Sequence, residues 1–261
     1  MCIKNKRITI KYLIGALRDQ LELEKELKYY GFDETRTGYV FRFSIITGST
    51  KMHKEIVVKV YKMKRSIDVP RNPSENEYKF LKQLAILSDD IPQLVVPRPI
   101  ARLTKLNGVV MECVHGISLQ KLMPLGRRFS SQGEKRRLEA YFRNVGKVIG
   151  LIQARTYSPN ASKAKRYMDT KLRRVQKQIW HSHLKKSKHV KRALMCIYEA
   201  ISTISLGKIG SAWTHGDFVH SNILITDEDK IAILDLAESR FDSPYHDITR
   251  FTVRTMIDYG Y

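Results

Sequence analysis

The chain has 261 residues, 43% of them hydrophobic, and carries 47 Lys and Arg against 26 Asp and Glu, for a formal net charge of +21. That length and apolar content suffice for one sizeable core or two small ones, and nothing in the sequence repeats as a solenoid would. Apolar stretches such as YLIGAL and LVVP are too short to cross a bilayer, and the start MCIKNKR leads into Lys11 rather than a clean signal core, so the expected location is cytoplasmic.

In chain order, GYVFRFSII and KEIVVKVYK are β-branched and aromatic runs separated by the polar, Gly-containing TGSTKMHK, which predicts a hairpin with Lys59 inside its second strand. PSENEYKFLKQLAIL predicts a helix with Phe80, Leu81, Leu84 and Leu87 on one face, and Ser74 and Glu77 have the spacing of a capping box. VVPRPIARL is a Pro-bounded extended segment, and NGVVMECVHG predicts a strand ending at Gly116. From Arg137 the apolar residues Leu138, Tyr141, Phe142, Val145, Ile149 and Ile152 recur at helical spacing, so the second half is mainly helical.

The stretch from Lys163 to Arg192 holds about a dozen bases against the lone acid Asp169. Two readings stay open: a solvated helix surface, or a docking segment for an anionic partner, a membrane surface or nucleic acid. His181, His183 and His189 lie in that segment without nearby acids or thiols and read as part of a basic helix, with Trp180 as its anchor. Cys2, Cys113 and Cys196 lack CxxC spacing, which argues against a disulfide framework and against a zinc site.

Near the end, THGDFVHSNILI (Thr214–Ile225) puts Asp217 five residues ahead of Asn222, and SNILI and KIAIL flank the turn TDEDK as a short hairpin that delivers Asp235 beside them. Phosphoryl transfer needs an acceptor for the substrate hydroxyl proton, oxygen ligands for Mg²⁺ and a cation on the nucleotide phosphates. Asp217, Asn222, Asp235 and Lys59 supply that list. A β-rich first half and a helical second half imply two lobes with a ligand-binding cleft between them.

HGDFVHSN, ILDLAES and SPYHDITRF together resemble the aminoglycoside phosphotransferase and choline kinase family of protein-kinase-like enzymes, and the likeness extends over most of the chain. The resemblance implies an α+β fold of two lobes: a small nucleotide-binding lobe over 1–111 and a catalytic lobe over 112–261, its end clipped where relatives continue through further helices. It implies ATP and Mg²⁺ as cofactors, Asp217 as catalytic base, and Asn222 and Asp235 as metal ligands. His215 would be structural and Asp247 would brace the catalytic loop. Lys59 would hold the α and β phosphates with Glu77 as its helix partner, although the capping box competes for Glu77 and Glu75 is an alternative. Backbone groups near Glu112 and Val114 would read the adenine.

The sequence departs from the family pattern at two places. There is no GxGxxG, so the phosphate-covering loop around Gly31 and Gly38 is unassigned, and Ala237 stands two after Asp235 where an acid or glycine is common. The expected reaction is transfer of the γ-phosphate of ATP to a hydroxyl of a small molecule. The positive field points to a sugar or anionic saccharide rather than a cationic antibiotic. An atypical protein kinase of RIO-like type and a catalytically inactive, nucleic-acid-binding relative are the alternatives.

Overall fold

The computed structural model describes residues 10–21, 26–35, 37–47, 52–62, 72–123, 131–159 and 210–259, with scattered single positions between 170 and 199. Most of the basic segment from Lys163 to Arg192, including His183 and Trp180, therefore lies outside the described residues.

The first half is built on one antiparallel sheet of five strands in the order β1-β2-β3-β6-β5. These are β1 (Glu26–Glu34), β2 (Gly38–Thr47), β3 (Met52–Tyr61), β5 (Pro99–Leu103) and β6 (Gly108–Glu112). The predicted hairpin is β2–β3, in register from Gly38↔Tyr61 to Thr47↔Met52. Strand alternation then sorts β3 by face. Ile56, Val58 and Val60 pack with Phe41, Phe43 and the buried Leu13 and Leu17 of helix α1 (Ile10–Leu21), while Val57 belongs to the core on the other face. Lys59 and Tyr61, in step with Val57, turn away from α1 and toward the second half of the chain.

Helix α2 (Pro73–Ser88) begins with Pro at its first turn, where the missing N–H costs nothing, and buries Phe80, Leu81 and Leu84 as the spacing predicts. Its start differs from the capping-box expectation: Asn72 is the N-cap, no side chain caps the first turn, and Glu77 is directed elsewhere. A short strand β4 (Leu94–Val95) runs parallel to β10 (Ile231–Ile233), which pairs antiparallel with β9 (Ile223–Ile225), itself paired with β7 (Ile117–Ser118). The predicted SNILI–KIAIL hairpin is thus the centre of a four-stranded sheet beneath the first.

The long predicted helix is α4 (Gln132–Thr156), which follows the one-turn α3 (Leu119–Leu122). It starts five residues before Arg137 because Ser131 accepts a hydrogen bond from the Glu134 amide (3.2 Å) and opens the helix in a polar stretch with no apolar periodicity to reveal it. Leu138, Tyr141, Val145, Val148, Ile149 and Ile152 are its buried face. β8 (Ala212–Thr214) pairs with β11 (Arg240–Asp242), and α5 (Tyr245–Tyr259) ends the described chain. The strand toward Gly116 ends earlier, at Glu112, and the following residues form an extended connection between the halves. Among the described residues no helix is long and apolar enough to cross a membrane.

Candidate active site

Lys59 is buried on β3 and meets two carboxylates that reach it from different elements. Its Nζ lies 2.5 Å from Asp235 Oδ1 and 3.3 Å from Glu77 Oε1. Glu77, 1% exposed, also receives the Tyr61 hydroxyl on Oε2 and the Leu236 amide on Oε1 at 3.1 Å. Burial works against the Lys59 charge, yet Asp235 and Glu77 outweigh it and hold its pKa above the ordinary value. Burial would likewise raise Asp235, but Lys59 draws it below the usual carboxylate range. Glu77 goes the other way: burial, joined by the nearby Asp235 charge, pushes its carboxyl up against the pull of Lys59 and Tyr61. Glu75, the alternative partner, instead lies near Arg102 (3.7 Å) and Asn72 (3.1 Å).

Asp235 adopts a left-handed backbone (φ 63°, ψ 63°), costly for a residue with a side chain, and it leads directly into the 3₁₀ turn Leu236–Glu238. Helix α2 fixes that turn from above. The Asn76 amide donates to the carbonyls of Ala237 (2.7 Å) and Ser239 (2.9 Å). The small, buried Ala237 fits this close contact, which gives the departure at that position a packing reason.

The loop from His215 to Asn222 is held at both ends. Asp247, fully buried at the start of α5, accepts from the His215 amide (2.7 Å) and the Gly216 amide (3.0 Å). Burial alone would raise its pKa, but bonds from His246 and these amides keep it below the ordinary value. His215 Nε2 faces the Leu234 carbonyl (2.7 Å), while Nδ1 accepts the Asp217 amide (3.2 Å). The partners thus assign the proton to Nε2 and make the ring a brace between the loop and the strand leading to Asp235. Gly216 has φ +84°, and a Cβ there would stand 2.3 Å from the Glu238 carbonyl oxygen, so only glycine fits. The five-residue interval also has a local meaning: the Asn222 side-chain amide donates to the Asp217 carbonyl (2.9 Å) and closes the loop into a ring.

Between the two sheets lies a cavity of about 670 Å³. Lys59, Glu77, Asn222 and Asp235 line its polar end, and Met111, Glu112 and Val114 line the connection side. The Glu112 carboxylate is taken by Lys54 (2.7 Å) and its amide by the Arg98 carbonyl (3.0 Å).

Residues 34–259 match the phosphotransferase enzyme family. The chain belongs to that family. Its fold is protein-kinase-like, shared with a choline kinase from Streptococcus pneumoniae (11% identity, 95% of this chain and 79% of that one, TM-score 0.51). A thermostable mutant of the aminoglycoside phosphotransferase APH(4)-Ia, in ternary complex with ADP and hygromycin B, is similar at 16% identity, 90% and 74% coverage and TM-score 0.54. An ethanolamine kinase from Plasmodium vivax matches at 14% identity, 97% and 70% coverage and TM-score 0.51. No match is found among curated proteins.

For this phosphotransferase-family chain, sequence reasoning overlooked three features that the structure brings to the site. Tyr61, two residues after Lys59 on the same face of β3, secures Glu77; period-2 alternation carried that signal. Arg250 places Nη2 on Asp217 Oδ1 and lies three residues after Asp247 on α5, which helical spacing could have shown. The third is β1, whose junction with β2 is the unassigned loop. There the Thr35 amide (2.9 Å) and hydroxyl (3.1 Å) both donate to the Gly38 carbonyl, and Lys62 reaches back to the Thr35 carbonyl (2.8 Å). Asp33 and Thr35 line the cavity, although the sequence there has no glycine-rich motif.

Proposed function

We propose that this chain is an ATP-dependent phosphotransferase that moves the γ-phosphate to a hydroxyl of a negatively charged small molecule, with residues 1–111 as nucleotide lobe and 112–261 as catalytic lobe. The observation that carries the reading is the convergence of Lys59, Glu77, Asn222 and Asp235 on one cavity, with Asp217 on the loop that ends at Asn222.

The donor set suits Mg²⁺: Asp235 offers a carboxylate and Asn222 an amide oxygen, all hard oxygens, and the Asn222 amide nitrogen is already committed to the Asp217 carbonyl. Mg²⁺ held by these two side chains and phosphate oxygens would neutralise charge on the transferring group. Lys59 would exchange part of its contact with Asp235 for the α and β phosphates, kept in place by Glu77 and Tyr61. Backbone groups near Glu112 and Val114 would read the adenine. Asp217 would accept the acceptor's hydroxyl proton as the oxygen attacks phosphorus.

The negative charge of the acceptor is argued from Arg250. Its guanidinium sits on Asp217, where an acceptor must bring its hydroxyl. A carboxylate or phosphate on the acceptor would take over that guanidinium, whereas a cationic acceptor would be repelled. Labelled ATP offered with sugars, phosphosugars, sugar acids, amino sugars, choline-like alcohols and generic proteins tests this. Transfer to an anionic sugar is expected, and Asp217→Asn should lower it by about 10² to 10⁴ while Mg-ATP affinity stays within a few-fold. Equal turnover by Asp217→Asn, or transfer to proteins alone, overturns the reading.

A further inference from the structure

The strongest feature outside the phosphotransfer machinery is a cluster where strand β3 meets the connection between the two halves. Among the described residues, Glu55, Cys113 and His115 are the one set of metal-ligating side chains whose donor atoms all lie within 4.8 Å of one another. We propose that these three residues bind a divalent transition metal of borderline softness, of which Zn²⁺ is the type, separately from Mg²⁺.

The donor chemistry selects the ion. A thiolate, an imidazole and a carboxylate make a poor set for Mg²⁺, which prefers oxygen alone, and a suitable set for Zn²⁺ or Co²⁺ with a fourth position open to water. Ligands at about 2.0–2.3 Å from a tetrahedral ion stand about 3.5 Å apart, a spacing that small rotamer changes here would reach. The backbone brings the donors together, since the Cys113 amide donates to the Glu55 carbonyl at 3.1 Å and locks the connection to β3. The Tyr30 hydroxyl bonds both the Glu55 carboxylate and Cys113, yet Glu55 Oε2 is a buried atom without an aligned hydrogen bond, its neighbour His115 Nε2 standing 2.8 Å away but out of line. A buried carboxylate oxygen left without a donor is costly, and a cation would satisfy it. His115 is mostly exposed, with 68% of its side chain open, so an ion can enter from solvent.

Cysteine spacing gave no sign of this site, because two ligands are separated by one residue and the third comes from a strand 58 positions earlier. All three residues line the same cavity as Lys59 and Asp235. An ion held here would pin β3 to the connection that carries Glu112 and Val114.

The test uses Co²⁺ as probe on the full chain carrying Cys2→Ser and Cys196→Ser, so that Cys113 is the only thiol left. A near-ultraviolet thiolate-to-Co²⁺ charge-transfer band saturating at one ion per chain is expected, displaced by Zn²⁺ and insensitive to millimolar Mg²⁺. Cys113→Ser should abolish the band. His115→Ala, at an exposed position that the fold does not depend on, should weaken Co²⁺ binding by more than about tenfold. Absence of the band in the single-thiol chain, its survival in Cys113→Ser, or unchanged affinity in His115→Ala overturns the proposal. None of these readouts involves ATP, so they stand or fall apart from the proposed activity.

Discussion

Lys59 has two carboxylate partners of unequal character. Asp235 is the nearer, and 33% of its side chain is open toward the cavity, whereas Glu77 is sealed beneath Tyr61 and the Leu236 amide. In the proposed reading Asp235 is therefore the partner that would exchange Lys59 for a metal and phosphates, and Glu77 the one that would keep the lysine in place. It follows that Asp235→Ala should weaken Mg-dependent ATP binding more than Asn222→Ala, because the first removes a charged ligand and the second a neutral one. ATP titrations at several Mg²⁺ concentrations decide it, and an unchanged metal dependence in Asp235→Ala counts against the site. Arg250 makes a separate prediction on the acceptor side. A charge-assisted hydrogen bond contributes about 1.5–3 kcal/mol, so Arg250→Ala should raise KM for an anionic acceptor by about 10- to 100-fold and leave the ATP constant unaltered. An anionic acceptor whose KM is the same for the parent and the variant would remove the argument for charge.

At the level of elements, α5 and the loop from His215 to Asn222 are joined through one carboxylate. Asp247 reaches back 32 residues to two consecutive amides, and Gly216 must take a positive φ for both to point at it. Asp247→Asn replaces one acceptor oxygen by a donor and leaves a buried amide facing another amide, a loss of about 1–3 kcal/mol in thermal or denaturant unfolding. The pH dependence carries a sign. The folded-state pKa of Asp247 lies below its ordinary value, so its stabilisation is present at neutral pH and is lost as the pH falls below about 4 and through the lowered value. The asparagine variant should lack that acid-side contribution, and parallel unfolding curves of variant and parent below pH 5 would show Asp247 is not the bracing group. This junction also marks what sequence can disclose. The β2–β3 hairpin, the buried face of α2 and the Ile223–Ile233 hairpin were readable because alternation and helical spacing are local patterns. β1 was not, because Gly31 and the acids Asp33 and Glu34 interrupt its apolar alternation and it stands at the sheet edge. Glu77 shows the same limit within the site: Ser74 three residues before it suggests a local cap, and only the tertiary approach of Lys59, Tyr61 and Leu236 decides where its carboxylate goes.

For the whole molecule the dominant quantity is the net charge of +21, and the question is whether it recruits a partner or merely covers a solvated surface. An exposed positive field raises the encounter rate and local concentration of an anionic partner without requiring a particular contact, and salt screens it. The proposed acceptor makes the first alternative testable through the richest basic stretch, Lys163 to Arg192. Reversing Lys185, Lys186 and Lys188 to Glu changes the net charge by six units at positions remote in sequence from Lys59, Asp217 and Asp235. If the stretch steers the acceptor, kcat/KM for an anionic acceptor should fall steeply at low ionic strength, and parent and variant should converge near 1 M salt, where the screening length is about 3 Å. Mg-ATP affinity should stay put, because Lys59, Asn222 and Asp235 supply its contacts in the proposed reading. A solvated surface predicts no change in kcat/KM at any salt concentration, and that result would leave Arg250 as the local source of anion preference. A loss that persists equally at 1 M would instead mean that the three lysines touch the acceptor directly, since only short-range contacts survive such screening.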